Sequence, residues 1–95
     1  MKKEGKFDEI AELLKALAHP IRLCIVKGLL ENSCNVSNMQ ECLNIPQSTV
    51  SQHISILKTR GIIKGTRNGT EINYSVNNPL IKELIGVLFL ENKDS

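Results

Sequence analysis

Residues 44–76 read NIPQSTVSQHISILKTRGIIKGTRNGTEINYSV, and they contain a helix pattern followed by a hairpin pattern. Its first half predicts a helix over about residues 47–60, because Val50, Ile54 and Leu57 recur at helical spacing. These apolar positions form a narrow stripe, and the opposite face is polar. The helix is therefore expected to pack through one edge and to expose the other.

The second half of the stretch predicts a β-hairpin. Residues 62–67 and 70–76 flank Asn68-Gly69, and Asn-Gly is a strong signal for a two-residue hairpin turn. Pro46 is expected to break the chain before the helix, since the residue that precedes a proline avoids helical geometry. Gly61 suits a left-handed helix end.

The flanking sequence adds further helices. Apolar spacing predicts helices over about residues 7–18, 20–31 and 36–43, with a polar turn at 32–35. A last helix is expected from Asn78-Pro79 to about Glu91. The order is four helices, a hairpin and one helix, so the fold class is mainly α with a β-hairpin wing, a winged helix-turn-helix.

Length and composition place this fold in one domain that spans residues 1–95. Hydrophobic residues make up 41% of the chain and charged residues 23%, which is an ordinary globular balance. Aromatic residues are only 3%, which argues against recognition of single strands by base stacking.

Charge is distributed unevenly along the chain. Residues 42–70 contain four Lys or Arg and no Asp or Glu, whereas the rest carries eight cations and ten acids. Such an asymmetry is typical of a surface that binds a polyanion, although a solvated basic face is the alternative.

The polar face of the helix at 47–60 suits double-stranded DNA. Gln52 can pair with adenine, and Ser48 and Thr49 lie where a helix N-terminus attracts phosphate. His53 is expected to donate to a phosphate, and Arg67 to reach a minor groove. The candidate DNA-contacting residues are Gln47, Ser48, Thr49, Ser51, Gln52, His53, Ser55, Lys58, Arg60, Lys64, Arg67 and Asn68.

Two other function classes are weighed against DNA binding. An enzyme is not expected, because no paired carboxylates, catalytic triad or phosphate-binding glycine loop appears. A winged-helix module that binds only proteins stays open. Salt dependence distinguishes it, because binding to DNA phosphates weakens steeply as salt rises.

Two motifs resemble the ArsR/SmtB family of bacterial winged helix-turn-helix repressors. Leu14-Lys15-Ala16-Leu17-Ala18-His19-Pro20-Ile21-Arg22-Leu23 is similar to the opening signature of the family. Gln47-Ser48-Thr49-Val50-Ser51-Gln52-His53-Ile54, with Leu57 and Gly61, is similar to its recognition helix. The resemblance covers about residues 7–91. It implies a homodimeric repressor that leaves its operator when a metal ion or reactive small molecule binds.

The sequence independently favours a homodimer. Eight of the eleven residues 80–90 are apolar, more than a small monomer with one buried stripe requires. We expect residues 7–18 and 79–91 to form the interface, residues 36–60 to read DNA and residues 62–76 to form the wing. The operator should then be an imperfect inverted repeat, with half-sites about one turn apart.

Candidate residues for binding an inducer are few in this sequence. The family's Cys-Val-Cys metal motif is matched here by Asn35-Val36-Ser37, and the last helix has no His, so no metal ligands are assigned. Cys24, Cys34 and Cys42 are candidates for sensing an oxidant, a persulfide, or a soft metal or metalloid. Simple packing of these cysteines is the alternative. No cofactor is required by any of these hypotheses.

The compartment is expected to be the cytoplasm. No uninterrupted apolar core follows Met1-Lys2-Lys3, and residues 80–90 are too short to span a bilayer, so neither a signal peptide nor a membrane partner is expected. Three cysteines, an odd number, do not suggest a disulfide framework.

Overall fold

The computed structural model describes residues 3–31, 34–35 and 44–90, and the side chains of residues 5–31 and 44–90. The predicted helix at 36–43 lies outside these residues. Within the described part there are four helices and three strands. In chain order they are α1 (Lys3–Leu17), α2 (Pro20–Glu31), β1 (Cys34–Asn35), α3 (Gln47–Thr59), β2 (Ile63–Asn68), β3 (Glu71–Val76) and α4 (Pro79–Leu88).

Helix α3 has sharply defined ends. Pro46 precedes it in an extended conformation and gives the helix no side-chain hydrogen bond. At the other end Gly61 has φ +76, its N–H donates to the Lys58 carbonyl, and the Ile62 N–H donates to the Leu57 carbonyl. This pair of hydrogen bonds is a Schellman motif, so the predicted left-handed stop at Gly61 is confirmed.

The sheet has three strands in the order β1-β3-β2, all antiparallel. The polar turn predicted at residues 32–35 is wrong at its end, because Cys34 and Asn35 pair with Tyr74 and Asn73 of β3. No pattern in the sequence indicates this strand, since two residues are too few to show a period of two.

The hairpin turn lies one residue later than predicted. Asn68 pairs with Glu71, so the two loop residues are Gly69 and Thr70. Gly69 has φ +69, and Asn44 is the only non-glycine residue with positive φ in the described ranges. A positive φ at the first loop position alone is the pattern of a type II′ turn, which needs glycine there and leaves Asn68 in the strand.

Helix α4 begins as predicted and ends sooner. Asn78 caps it, because the side-chain oxygen accepts hydrogen bonds from the Leu80 N–H at 3.0 Å and the Ile81 N–H at 3.3 Å. Pro79 occupies the first helical position, where its missing N–H costs nothing. The helix stops at Leu88, three residues before the predicted end.

The core lies between α2, α3, α4 and one face of the sheet. The three predicted stripe residues of α3 are all buried, and Tyr74 and Val76 of β3 are buried in alternation with exposed or half-buried neighbours. The largest fully buried side chains are Leu57, Ile62, Ile81, Val26 and Val50. The core therefore fixes α3 by its apolar edge, as the sequence predicted.

No helix in the described ranges is long and apolar enough to cross a bilayer.

Candidate nucleic-acid interface

The outer face of α3 is a polar surface made of short side chains. Gln47, Ser48, Ser51, Gln52 and Ser55 are all exposed, and Thr49 at the edge is half-buried. The buried stripe occupies the opposite side of the helix. This face can offer hydroxyl and amide groups to the edges of bases, which present donors and acceptors in the major groove.

The N-terminus of α3 lies beside this face. Pro46 supplies no side-chain cap, so the N–H groups at the start of the helix receive no hydrogen bond from its side chain. Thr49 and Val50 donate backwards to the Pro46 carbonyl, which marks the true start of the helix. A helix end of this kind attracts anions, since the helix dipole and the open N–H groups act together.

His53 differs from its neighbours on α3, because it is half-buried and faces inward. Its Nδ1 lies 3.2 Å from Nη1 of Arg22 on α2, and its ring centroid lies 4.6 Å from that of His19. Burial lowers the pKa of His53 from its usual value, and the charges of His19 and Arg22 lower that pKa further. The structure thus gives this residue an internal contact that the sequence did not indicate.

Arg60 makes an ion pair across the molecule. Its Nη2 lies 3.1 Å from Oε1 of Glu12 on α1, and both side chains are about half exposed. Glu12 also lies 3.7 Å from Nζ of Lys15 one turn further along α1. Arg60, a candidate DNA contact, is therefore already paired with a carboxylate of α1.

The hairpin carries its cations outside the core. Lys64, Arg67 and Asn68 are exposed on β2, where only Ile63 is buried. Lys58 connects the two parts of the surface, since its Nζ lies 5.9 Å from the centre of the buried Tyr74 ring on β3. Exposed cations thus continue from the end of α3 onto the hairpin.

Gly65 allows the two hairpin strands to pack closely. A Cβ at this position would lie 2.9 Å from Cγ2 of Ile72 and 3.0 Å from Cε1 of Tyr74. The absence of a side chain is therefore a packing requirement, and Tyr74 fills the space opposite.

Sequence analysis missed three residues near this surface. Arg22 and Glu12 contact α3 over 31 and 48 positions of sequence, and no periodic pattern reports contacts of that range. Ile56 is 39% exposed and lies outside the buried stripe of Val50, Ile54 and Leu57.

Of the three candidate thiols, the structure describes the side chain of Cys24. Cys24 is a free, exposed cysteine on α2, next to a cavity of about 360 Å³ whose walls include Leu23 and Phe89. Arg22, two residues before Cys24 in the sequence, donates to the Ala16 carbonyl and contacts His53. The side chain of Cys34 and all of Cys42 lie outside the described residues. Among described side chains, no three His, Cys, Asp or Glu residues are grouped as metal ligands.

A second surface of the molecule is apolar. On α1 three apolar side chains are exposed: Phe7, Ile10 and Leu14 are 66%, 37% and 47% accessible. On α4 and the residues after it, the exposed apolar side chains are Leu80, Val87, Leu88, Phe89 and Leu90. Exposed apolar residues that share one side of a helix are typical of a surface that binds another protein.

Comparison with known proteins agrees with this arrangement. The family model of "bacterial regulatory protein, arsR family" matches residues 19–64. The transcriptional repressor PagR of Bacillus anthracis is 47% identical over 83 residues, which are 85% of this chain and 82% of that protein. Its crystal structure superposes with a TM-score of 0.81 at 42% identity, over 90% of this chain and 98% of that one.

Two further solved structures share the fold. The transcriptional repressor BigR from Xylella fastidiosa gives a TM-score of 0.83 at 32% identity, over 94% of this chain and 91% of that one. A homodimeric winged helix-turn-helix DNA-binding domain from Mycobacterium bovis gives 0.86 at 25% identity, over 94% and 82%. The fold class expected from the sequence is thereby confirmed, and this chain belongs to the ArsR family of bacterial regulatory proteins.

Proposed function

We propose that this protein is a transcriptional repressor that binds double-stranded operator DNA as a homodimer, with α3 in the major groove. One observation carries the proposal: the exposed face of α3 consists of small polar side chains, and exposed cations continue from it onto the hairpin. Its relatives support this function, since PagR and BigR are described as transcriptional repressors. The family consists of DNA-binding regulators, which agrees with the expectation that the chain is not an enzyme.

The polar face and the cations have different roles in this proposal. Gln52, with the hydroxyls of Ser48, Ser51 and Ser55, reads the edges of bases. The open N-terminus of α3 accepts a phosphate beside Thr49. The remaining contacts are electrostatic and set the register of the protein on the DNA backbone. The residues that make them are Lys58, Arg60, Lys64 and Arg67, with Asn68 at the end of β2.

His53 has a narrower role than the sequence suggested. Its Nδ1 already accepts from Arg22, so only Nε2 remains to donate to a phosphate. His53 therefore lies at the edge of the proposed interface, where it can contribute one donor beside the exposed hydroxyl groups.

The homodimer is proposed to form through the apolar surface of α1 and α4. Phe7, Ile10 and Leu14 share one side of α1, and Leu80 and Val87 are seven residues apart on α4, which places them on one side. Burial of these side chains against a second copy removes their apolar area from water. The relative from Mycobacterium bovis is described as homodimeric, which supports a homodimer here. A two-fold dimer would read an imperfect inverted repeat, in the cytoplasm where bacterial operators lie.

Release from DNA is proposed to follow inducer binding, and a thiol is the first candidate. Cys24 is accessible on α2, and Cys34 belongs to β1, which pairs with the hairpin strand β3. Modification of a thiol near the sheet can change how the hairpin sits on DNA. An oxidant, a persulfide, and a soft metal or metalloid are the chemical classes to compare.

The test is fluorescence anisotropy with duplex DNA from upstream of the protein's own gene. Binding of the reduced protein is measured across a salt series, against a scrambled duplex of equal length. Specific binding that weakens steeply with salt supports the repressor. Binding that ignores salt, or no binding, favours the alternative of a winged-helix module that contacts only proteins.

The same titration tests the inducer. A persulfide donor that abolishes binding, with recovery after reductant, supports a thiol switch. If the treatment does not change binding, the cysteines have only a packing role, and metal ions are the next inducers to test. Cys42→Ser should abolish any thiol response, and a response that persists in this variant removes Cys42 from the mechanism.

A further inference from the structure

Three helices meet at one side chain. Arg22, in the first turn of α2, donates from Nε to the carbonyl oxygen of Ala16 near the end of α1. Its Nη1 lies 3.2 Å from Nδ1 of His53 on α3. One guanidinium therefore bridges the helix with the exposed apolar face and the helix with the exposed polar face.

The chemistry of this contact fixes the state of the histidine. A guanidinium can only donate hydrogen bonds, so Nδ1 of His53 must accept, and the neutral ring carries its proton on Nε2. His19 is held in the same way, because its Nδ1 accepts from the Ile21 N–H at 3.1 Å. Protonation of His53 at Nδ1 would remove the acceptor and place two cations together.

Burial keeps the ring in the required form. Desolvation is the largest cause of the lowered pKa of His53, and the charges of His19 and Arg22 act in the same direction. At neutral pH the ring therefore remains uncharged and continues to accept from Arg22. The contact is a stable part of the fold under those conditions.

We propose that Arg22 is a positioning residue for DNA reading, which sets the orientation of α3 against α1 by holding His53 and the Ala16 carbonyl together. The proposal rests on the proposed function of α3. The buried stripe of α3 is narrow, so it resists rotation of the helix about its own axis only weakly. The Arg22 bridge constrains the half of the helix that carries Gln52, and Glu12 constrains the far end through Arg60.

This bridge also connects the two proposed interfaces. Helix α1 carries exposed apolar residues, and Ala16 in its last turn is buried. A change in how α1 packs in a dimer would move the Ala16 carbonyl and, through Arg22, the ring of His53. Dimer packing and groove reading are thereby mechanically coupled.

The test is a double-mutant cycle with Arg22→Gln, His53→Ala and the combined variant. Specific duplex affinity is measured by anisotropy at several salt concentrations, and folding and dimerisation are checked first. If Arg22 acts through His53, Arg22→Gln should weaken binding about tenfold, in keeping with the loss of one charged hydrogen bond. The combined variant should then bind about as well as the weaker single variant, because the two residues act as one unit. Losses that multiply instead overturn the proposal.

Salt dependence separates positioning from direct contact. A residue that neutralises a phosphate contributes about 0.9 to the slope of log affinity against log salt. Arg22→Gln should leave this slope unchanged, and a slope reduced by about that amount would show that Arg22 contacts phosphate directly. Lys27→Gln is the matched control, since it removes one cation further along α2, where Lys27 pairs with Glu31 at 2.7 Å. It should bind the duplex as the wild type does.

A measurement on the wild-type protein keeps the proposal testable if the variants fail to fold. Imidazole ¹⁵N shifts at neutral pH should show the proton of His53 on Nε2, and a proton on Nδ1 would overturn the bridge. In Arg22→Gln the pKa of His53 should rise, because a nearby positive charge is removed. If wild-type protein binds no duplex, the proposed function fails. Normal wild-type binding with multiplying losses rejects this inference alone.

Discussion

Nη2 of Arg60, at the end of α3, lies 3.1 Å from Oε1 of Glu12 on α1. The pair joins a cation of the proposed DNA surface to the middle of α1, which carries part of the proposed dimer surface. Glu12 lines an adjacent cavity of about 470 Å³ with Asp8 and Glu9, so the guanidinium faces a local excess of negative charge. An acidic group thus competes with DNA for one of the proposed phosphate contacts.

Glu12→Gln should therefore tighten DNA binding. Arg60 is released to phosphate and one repulsive charge is removed, so affinity should rise by a few-fold at low salt, while stability changes by about 0–1 kcal/mol because the pair is half exposed. Anisotropy across a salt series measures the gain, which should shrink as salt screens the charges. Glu83→Gln on α4 is the control of equal charge. Equal gains in both variants would show that only net charge matters.

Gln52→Ala and Arg67→Ala should weaken DNA binding in different ways. Loss of Gln52 should cost about 1–3 kcal/mol on the preferred duplex and relax the preference, because a base contact disappears. Loss of Arg67 should weaken all duplexes alike and reduce the salt slope by about 1. Selection from a random duplex pool, followed by anisotropy, separates the outcomes. The reverse pattern would exchange the two roles.

Gly65→Ala should destabilise the hairpin. The new methyl would meet Ile72 and Tyr74 at 2.9–3.0 Å, and overpacking of this kind costs about 1–3 kcal/mol. Urea unfolding measures the effect. The same substitution at Gly28 on α2, where a Cβ meets nothing within 4 Å, should instead stabilise by about 0.4–1 kcal/mol. Equal effects at both sites would contradict the close strand packing described here.

Val87→Glu should dissociate the proposed dimer without unfolding the chain. Val87 is 68% exposed, so a carboxylate there is solvated in the monomer but would be buried in the interface. Sedimentation velocity at several concentrations gives the oligomeric state. Lys82→Glu places the same group on another side of α4 and should leave the dimer intact. A wild-type protein that sediments as a monomer at every concentration would defeat the dimer.

Acid should destabilise the fold through His53. Its folded pKa lies below the usual 6.5, so the unfolded chain takes up a proton first as the pH falls. Stability should be full above pH 6.5, decrease as the pH falls from 6.5 to the folded pKa, and then level off. Urea unfolding from pH 8 to 5 (about the range of histidine titration) measures this. His53→Gln should lose the part of the slope that belongs to this ring, and an unchanged slope would assign it to other groups.

The sequence predicted the parts of the fold that depend on local patterns. The stripe of Val50, Ile54 and Leu57, the stop at Gly61 and the alternation around Tyr74 all follow from short-range stereochemistry, and the structure confirms them. The turn was displaced by one residue, because Asn-Gly fits two types of turn whose glycines occupy different loop positions.

Long-range contacts could not be predicted in the same way. Arg22, an ordinary cation in the sequence, bridges to Ala16 and His53, and Glu12 reaches Arg60 across the fold. Such contacts depend on the angles at which helices cross, and no periodic pattern in the sequence encodes those angles. The exposure of Ile10 and Leu14 could not be predicted either, because their helical spacing predicts burial without showing which surface would bury them.

The two-residue turn at Gly69-Thr70 limits how the length of the hairpin can change. The loop has only two residues, so it cannot accommodate an inserted residue without changing the turn. Side chains alternate between the two faces of the sheet along β2 and β3. Adding one residue to a strand would exchange its inner and outer faces, whereas adding two to each strand preserves them. The reach of the wing can therefore lengthen only in steps of two residues per strand, about 7 Å at a time.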